Sequence, residues 1–204
     1  MATDVELANR SLTLCGAARI SALTDNTKSG TALAAVYTQV RDACLATANW
    51  KFAMRRFNPA ASDTPLFGFT YAYVVPDEIL RLVEIKDIFV APSLGARYLF
   101  DQGLSPFNLE EDKRILTDFG PPLNCRGVAR IENSARFDPL FATYFCHELA
   151  LAVWEDVSRK SSTKKADVER ERDRSLKIAR ARDAIIEPPE ELPDDTWTLS
   201  RIGP

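Results

Sequence analysis

Cys146 and His147 are the one adjacent thiol and imidazole in the chain, and such a pair invites a reading as nucleophile and base. Neighbouring residues on a helix point about 100° apart and do not face each other, so the spacing predicts a buried Cys146 beside a partly exposed His147 rather than a dyad. His147 is the single histidine, and the four cysteines (Cys15, Cys44, Cys125, Cys146) lie 29, 81 and 21 positions apart. Zinc sites draw ligands from short spacings, so these thiols read as small buried apolar residues of a reducing compartment. The clusters Glu110-Glu111-Asp112 and Glu190-Glu191 contain groups able to act as general acid and base, but both sit on polar segments where carboxylates are ordinarily solvated. None of the eight glycines forms G-x-G-x-x-G or G-x-x-x-x-G-K, so no phosphate-cradling loop is present in the sequence. No catalytic, cofactor-binding or metal-binding residue is assigned. The expectation is a protein that is not an enzyme and uses no cofactor.

The remaining chemistry is charge. The net charge of -3 over 204 residues conceals a polarised C-terminal region: residues 158–182 carry ten Lys or Arg against four acids, whereas 187–204 carry five acids and only Arg201. The basic stretch 164–182 could meet DNA phosphates, which makes a nucleic-acid-binding module the alternative reading. Its interspersed acids also allow pairing along a helix, such as Glu169 with Arg172 and Asp173 with Lys177. A hydrolase built on Glu110, Glu111 or Asp112 ranks last, because no paired geometry follows from the sequence.

The elements that must position these residues begin with Thr3 and Glu6, which have the form of a capping box. Val5, Ala8, Leu12 and Cys15 recur at helical spacing until Gly16, predicting a helix over 4–15. A second helix is expected from about Ser29 to Asn49, with Leu33, Val36, Tyr37, Val40, Cys44 and Ala48 on one face. From Trp50 the period becomes two: Trp50, Phe52 and Met54 alternate, as do Phe69, Tyr71, Tyr73 and Val75, the pattern of half-buried strands. Eight of the twelve prolines fall between 59 and 139, among short apolar runs at 80–90, 98–100, 115–119 and 125–131. Asp138-Pro139 then opens a helix as cap and first residue, with Leu140, Phe141, Tyr144, Phe145, Leu149, Ala152 and Val153 as a broad apolar stripe. After a polar break at 161–163, a charged helix to about Ile186 has sparse apolar positions (Val168, Leu176, Ala179, Ile186) and should be exposed on most of its surface. Pro188, Pro189 and Pro193 end regular helix, leaving a flexible acidic arm tipped by Trp197, Leu199 and Ile202.

The class that follows is mainly α with a β insertion (α+β). A discontinuous helical bundle is expected from 1–50 and 138–186, a β-rich insertion from 51–137, and an extended C-terminal arm from 187–204. At 46% hydrophobic and 27% charged residues the composition is that of a soluble globular protein, and no apolar run suits a membrane span or an export signal.

Several spaced segments together resemble phage tail tubular protein A and related head-to-tail adaptors. They are Asn9-Arg10-Ser11-Leu12-Thr13-Leu14-Cys15-Gly16; Ile20-Ser21-Ala22-Leu23-Thr24-Asp25; and Trp50-Lys51-Phe52-Ala53-Met54-Arg55-Arg56, similar to a W-x-F-A-x-x-R element. Phe69 to Arg81, with its Pro76-Asp77 step, Arg136-Phe137-Asp138-Pro139-Leu140-Phe141, and Trp197-Thr198-Leu199-Ser200-Arg201 complete the series in order. The resemblance implies a structural virion protein at the head-tail junction of a bacteriophage, assembled from the host cytoplasm. It would form a homo-oligomeric, twelve-fold ring under the portal protein, prolong the DNA channel, touch passing DNA transiently, and dock the downstream tail or nozzle protein, with no membrane partner. It further implies that Trp197, Leu199, Arg201 and Ile202 of the arm engage the portal, and that Trp50, Phe52, Arg56, Pro76 and Asp77 form the structural anchor.

Overall fold

The computed structural model describes residues 3–86, 88–89, 107–111, 113–158 and 162–185. The arm at 187–204, with Trp197, Leu199, Arg201 and Ile202, lies outside the described residues, as do Asp112 and the run 98–100.

The first helix, α1 (Asp4–Cys15), starts at the expected capping box: Thr3 Oγ1 accepts the Glu6 N–H at 3.2 Å and Glu6 Oε2 accepts the Thr3 N–H at 2.8 Å. It stops where Gly16 turns left-handed (φ 71°), which lets the Ala17 N–H reach the Leu12 carbonyl at 2.9 Å. Its buried face is Leu7, Ala8, Ser11, Leu12 and Cys15. Helix α2 (Lys28–Ala46) is capped by Thr27, whose hydroxyl accepts the Gly30 N–H at 3.0 Å. Gly30 has no room for a side chain, because a Cβ there would stand 2.3 Å from the Asp25 carbonyl oxygen. The helix ends three residues before the expected Asn49. The Cys44 carbonyl, which would have served Ala48 in a longer helix, accepts instead the Thr47 N–H at 3.3 Å and the Trp50 indole at 3.0 Å.

The expected alternating strand from Trp50 is corrected by the next element. Lys51–Ala53 is a 3-10 turn, and strand β1 (Met54–Phe57) starts only after it. The turn, not a pleat, sets Trp50 and Phe52 side by side with ring centroids 6.4 Å apart. Strands β2 (Ala60–Ala61), β3 (Tyr71–Val74), β4 (Ile79–Ile85), β5 (Ile88–Phe89), β6 (Phe107–Glu110), β7 (Arg114–Thr117) and β8 (Cys125–Ala129) follow. They form two antiparallel four-stranded sheets, ordered β1-β8-β4-β5 and β2-β3-β7-β6. The central strands of the first sheet, β4 and β8, contribute buried residues on both faces. Val83 and Val128 join the core beneath the helices, while Ile79, Leu82, Ile85, Cys125 and Ala129 pack against Tyr73, Val75 and Ile115 of the second sheet region. The order of layers is therefore helices, first sheet, second sheet. Gly127 belongs to the crowded centre, since a Cβ would meet Arg81 O at 2.8 Å and Ile79 Cγ2 at 2.7 Å.

Asp138 caps α3 (Pro139–Ala152) as its sequence predicts, accepting the Leu140 N–H at 2.8 Å, with Pro139 in the first turn. This helix buries Phe141, Ala142, Tyr144, Phe145, Cys146, Leu149 and Ala150, so it is covered on several sides: α1 and α2 pack on it, as does the last helix. A single-turn helix α4 (Trp154–Val157) intervenes. Helix α5 (Ser162–Ile185) rests on α3 through partly buried Val168 and Leu176 and buried Ala179, with much of its surface exposed. The class is mixed α+β. Among the described residues no helix is long and apolar enough to cross a membrane.

Candidate functional site

Trp50 opens the 3-10 turn that joins α2 to β1. It is 1% exposed, its indole N–H is satisfied by Cys44 O, and its ring meets Phe141 edge-on at 5.1 Å. Phe52 extends the cluster to Phe141 (5.0 Å) and Phe137 (6.1 Å), and Phe141 stacks with Phe145 at 6.4 Å. The two motif aromatics thus lock the entry to β1 against α3. Arg56, Pro76 and Asp77 are not brought to this cluster. Arg56 is exposed on β1, an edge strand of the first sheet, and Pro76-Asp77 form the β3–β4 turn, where Asp77 pairs with Lys113. That hydrogen bond and charge hold the Asp77 carboxyl below its usual range. Arg55, on the same edge, pairs with Glu78 at 2.8 Å.

A second fastening escapes sequence reading. Asp183, in the last turn of α5, accepts the Lys51 N–H through both carboxylate oxygens (2.9 and 3.2 Å), and Arg180 donates to the Thr47 carbonyl at 2.9 Å. The end of α5, from which the chain continues toward 187–204, is thereby tied to the Trp50 turn. Asp183→Ala is expected to cost about 1 kcal/mol, read as a lowered thermal midpoint. Faster hydrogen exchange should be confined to the Lys51 amide and the last turn of α5.

Charge is organised in the same internal way. Arg41, although on the buried face of α2, is 7% exposed and bonds Asp42 through Nε (3.0 Å) and Nη2 (2.9 Å). Asp42 also receives Arg130 Nε at 2.8 Å, bridging α2 to the residue after β8. On α5, the expected partners of Glu169 with Arg172 and Asp173 with Lys177 give way to others. Arg172 reaches across to Glu148 of α3 at 3.0 Å and to Asp173 at 2.7 Å, while Arg170 pairs with Asp167 and Arg174 with Glu171. Lys165 pairs with Glu155. Of the eight bases in 164–182, four are in ion pairs and Arg180 serves a backbone carbonyl.

The residues weighed for catalysis are placed apart. Cys146 is buried with its thiol toward the Leu7 carbonyl (3.6 Å), whereas His147 Nδ1 bonds the Thr143 carbonyl of its own helix at 2.8 Å. Burial pushes the Cys146 thiol up to about 12, opposite to what a nucleophile needs. Glu110 ends β6, and Glu111 takes the following turn with φ 52°. No group of three or more potential metal ligands occurs among the described residues. Two open clefts are of similar size. One of about 330 Å³ lies between Arg19, Lys28 and Asp156, and one of about 320 Å³ lies between α2 and α3, lined by Val40, Ala43, Cys44, Tyr144, Leu151 and Glu148 among others. No protein-family model matches the chain, and no curated protein matches it.

Proposed function

We propose that this chain is a head-to-tail adaptor, a structural virion protein that forms a ring under a phage portal, prolongs the DNA channel and docks the next tail component. The helices of 1–50 and 138–186 are its ring-building bundle, 51–137 its insertion, and 187–204 its portal-binding arm. The observation that carries this reading is the Trp50 junction. The most specific motif of the resemblance, Trp50 to Arg56, sits where α2, β1, α3 and the end of α5 meet, so a ligand gripping the arm would pull on the rigid centre of the molecule. The internal use of bases on α5 supports the adaptor over the nucleic-acid-binding alternative, because paired guanidiniums release fewer counterions on meeting phosphate.

Ordering an arm costs about 1–2 kcal/mol per residue, so binding must bury its apolar tip in compensation. Electron microscopy of the purified protein mixed with its portal should show rings seated on the portal. Removing residues 187–204 should abolish that binding while leaving the thermal midpoint of the folded part nearly unchanged. A truncated chain that binds portal as the full chain does would overturn the role of the arm. Retention on DNA that falls steeply with rising salt, without portal binding, would favour the alternative.

A further inference from the structure

Two large apolar side chains stand almost fully exposed among the described residues. Leu66 and Phe67 are 99% and 87% exposed at the tip of the loop joining β2 to β3, although burial of such side chains is worth about 1.5–3 kcal/mol each. The loop is pinned at its base. The Ser62 N–H bonds Ala72 O at 2.8 Å, Arg114 donates to Asp63 O at 3.3 Å, and both the Thr70 N–H and hydroxyl reach Asp118 Oδ1 at 2.9 Å. Gly68, at φ 91°, turns the chain immediately after Phe67. The result is a fastened stem with an uncharged tip, Thr64-Pro65-Leu66-Phe67-Gly68-Phe69, in which Leu66 and Phe67 are exposed and Pro65 and Phe69 half-buried.

The same chain carries a receptor of matching character. The α2–α3 cleft has apolar walls (Val40, Ala43, Leu151, Ala152), a volume of about 320 Å³, and one acid, Glu148, already neutralised by Arg172. The residues that α2 and its C-terminal cap contribute to its lining, Val40, Ala43, Cys44 and Thr47, are all uncharged. The loop belongs to the outer sheet and the cleft to the helical layer, with the first sheet between them, so a chain does not fill its own cleft. We infer that the Leu66-Phe67 tip of one copy seats in the α2–α3 cleft of the next, a head-to-tail contact between different surfaces of the same chain. This rests on the ring-forming reading above and supplies its contact. An aromatic ring buries about 150–250 Å², far below the roughly 800 Å² per partner of a stable complex. The contact is therefore too small to hold two free copies and acts when a template gathers many of them.

The test uses the full-length chain. Two singly substituted preparations, Thr64→Cys on the loop and Ala43→Cys at the cleft, are mixed and treated with a short bis-maleimide; the four native thiols are buried, and the Thr64→Cys preparation alone controls for Cys44 at the cleft wall. Cross-linked dimers joining loop to cleft are expected at high concentration, and more of them with portal present. The double variant Leu66→Ser/Phe67→Ser, folded as judged by circular dichroism, should weaken ring formation on portal by about tenfold or more. Absence of the loop-to-cleft cross-link, or rings that form as before in the double variant, would overturn the contact and leave the adaptor reading standing. Cross-linking without portal binding would support the contact and overturn the adaptor reading. A double variant that still forms rings on portal but loses a downstream tail protein would assign the tip to that protein and overturn the proposed occupant.

Discussion

Trp50→Ala is expected to lower the unfolding free energy by about 3–5 kcal/mol, the range for emptying a fully buried large aromatic site. Three losses combine. The indole leaves a cavity among Phe52, Phe141 and Tyr144, whose rings are packed from its other sides. Its N–H no longer satisfies Cys44 O, although Thr47 keeps one bond to that carbonyl. The 3-10 turn of Lys51–Ala53 loses the side chain that fixes its entry, which loosens the bond to Asp183 and with it the end of α5. Urea titration of the variant measures the cost. Trp50→Phe separates the contributions, since it keeps most of the ring and removes the hydrogen bond, and it should cost less than half as much. With total stabilities of about 5–15 kcal/mol for domains of this kind, the alanine variant should be partly unfolded at physiological temperature. A loss below about 1 kcal/mol would mean that the junction is not the keystone that the proposed function requires.

The same junction shows how far the sequence could be read. Helix ends are announced locally: Thr3 with Glu6, Gly16, and Asp138-Pro139 each satisfy or end backbone bonding within a few residues, and each stands where its chemistry predicts. The alternation of Trp50, Phe52 and Met54 misled because period two does not distinguish a pleat from a short 3-10 turn leading into a strand; the deciding fact is the Trp50–Cys44 bond. Arg41 on a buried helix face and the bond from Lys51 to Asp183, 132 positions away, are tertiary events with no local signature. The ion pairs of α5 went astray for the same reason, since Glu148 of α3 competes for Arg172 with partners on its own helix. The exposure of Leu66 and Phe67 has no local signature, because an apolar pair inside a β-rich stretch is equally compatible with core.

Alkaline pH should unfold this protein well before its chemistry would otherwise require. Burial raises the thiols of Cys44, Cys125 and Cys146 from an ordinary value of 9.0 to about 12, with the Glu148 charge adding to the rise at Cys44. Tyr37 and Tyr144 are raised by burial too, followed by the nearby Asp4 at Tyr37 and by Cys44 and Glu148 at Tyr144. A group whose pKa is higher folded than unfolded keeps its proton in the folded chain while the unfolded chain releases it. The stability linked to it is complete below the unfolded value and is lost as pH climbs toward the folded one. For the three thiols the window is pH 9 to 12. Each pH unit inside it costs up to about 1.4 kcal/mol per thiol, and the losses add against a total stability of only about 5–15 kcal/mol. Unfolding followed by circular dichroism against pH should therefore show a cooperative loss of helix near pH 10–11, with a thiol reagent reacting slowly below pH 9 and rapidly once the helix is lost. Cys125→Ala, which replaces a buried thiol on β8 by a group that cannot ionise, should move the midpoint upward even if it lowers stability at pH 7 through the smaller side chain. If instead the midpoint stays fixed in that variant, Cys125 does not set the alkaline limit, and Cys146→Ala and Tyr37→Phe, the latter also freeing Asp4 of its hydroxyl partner, separate the remaining thiols from the tyrosines.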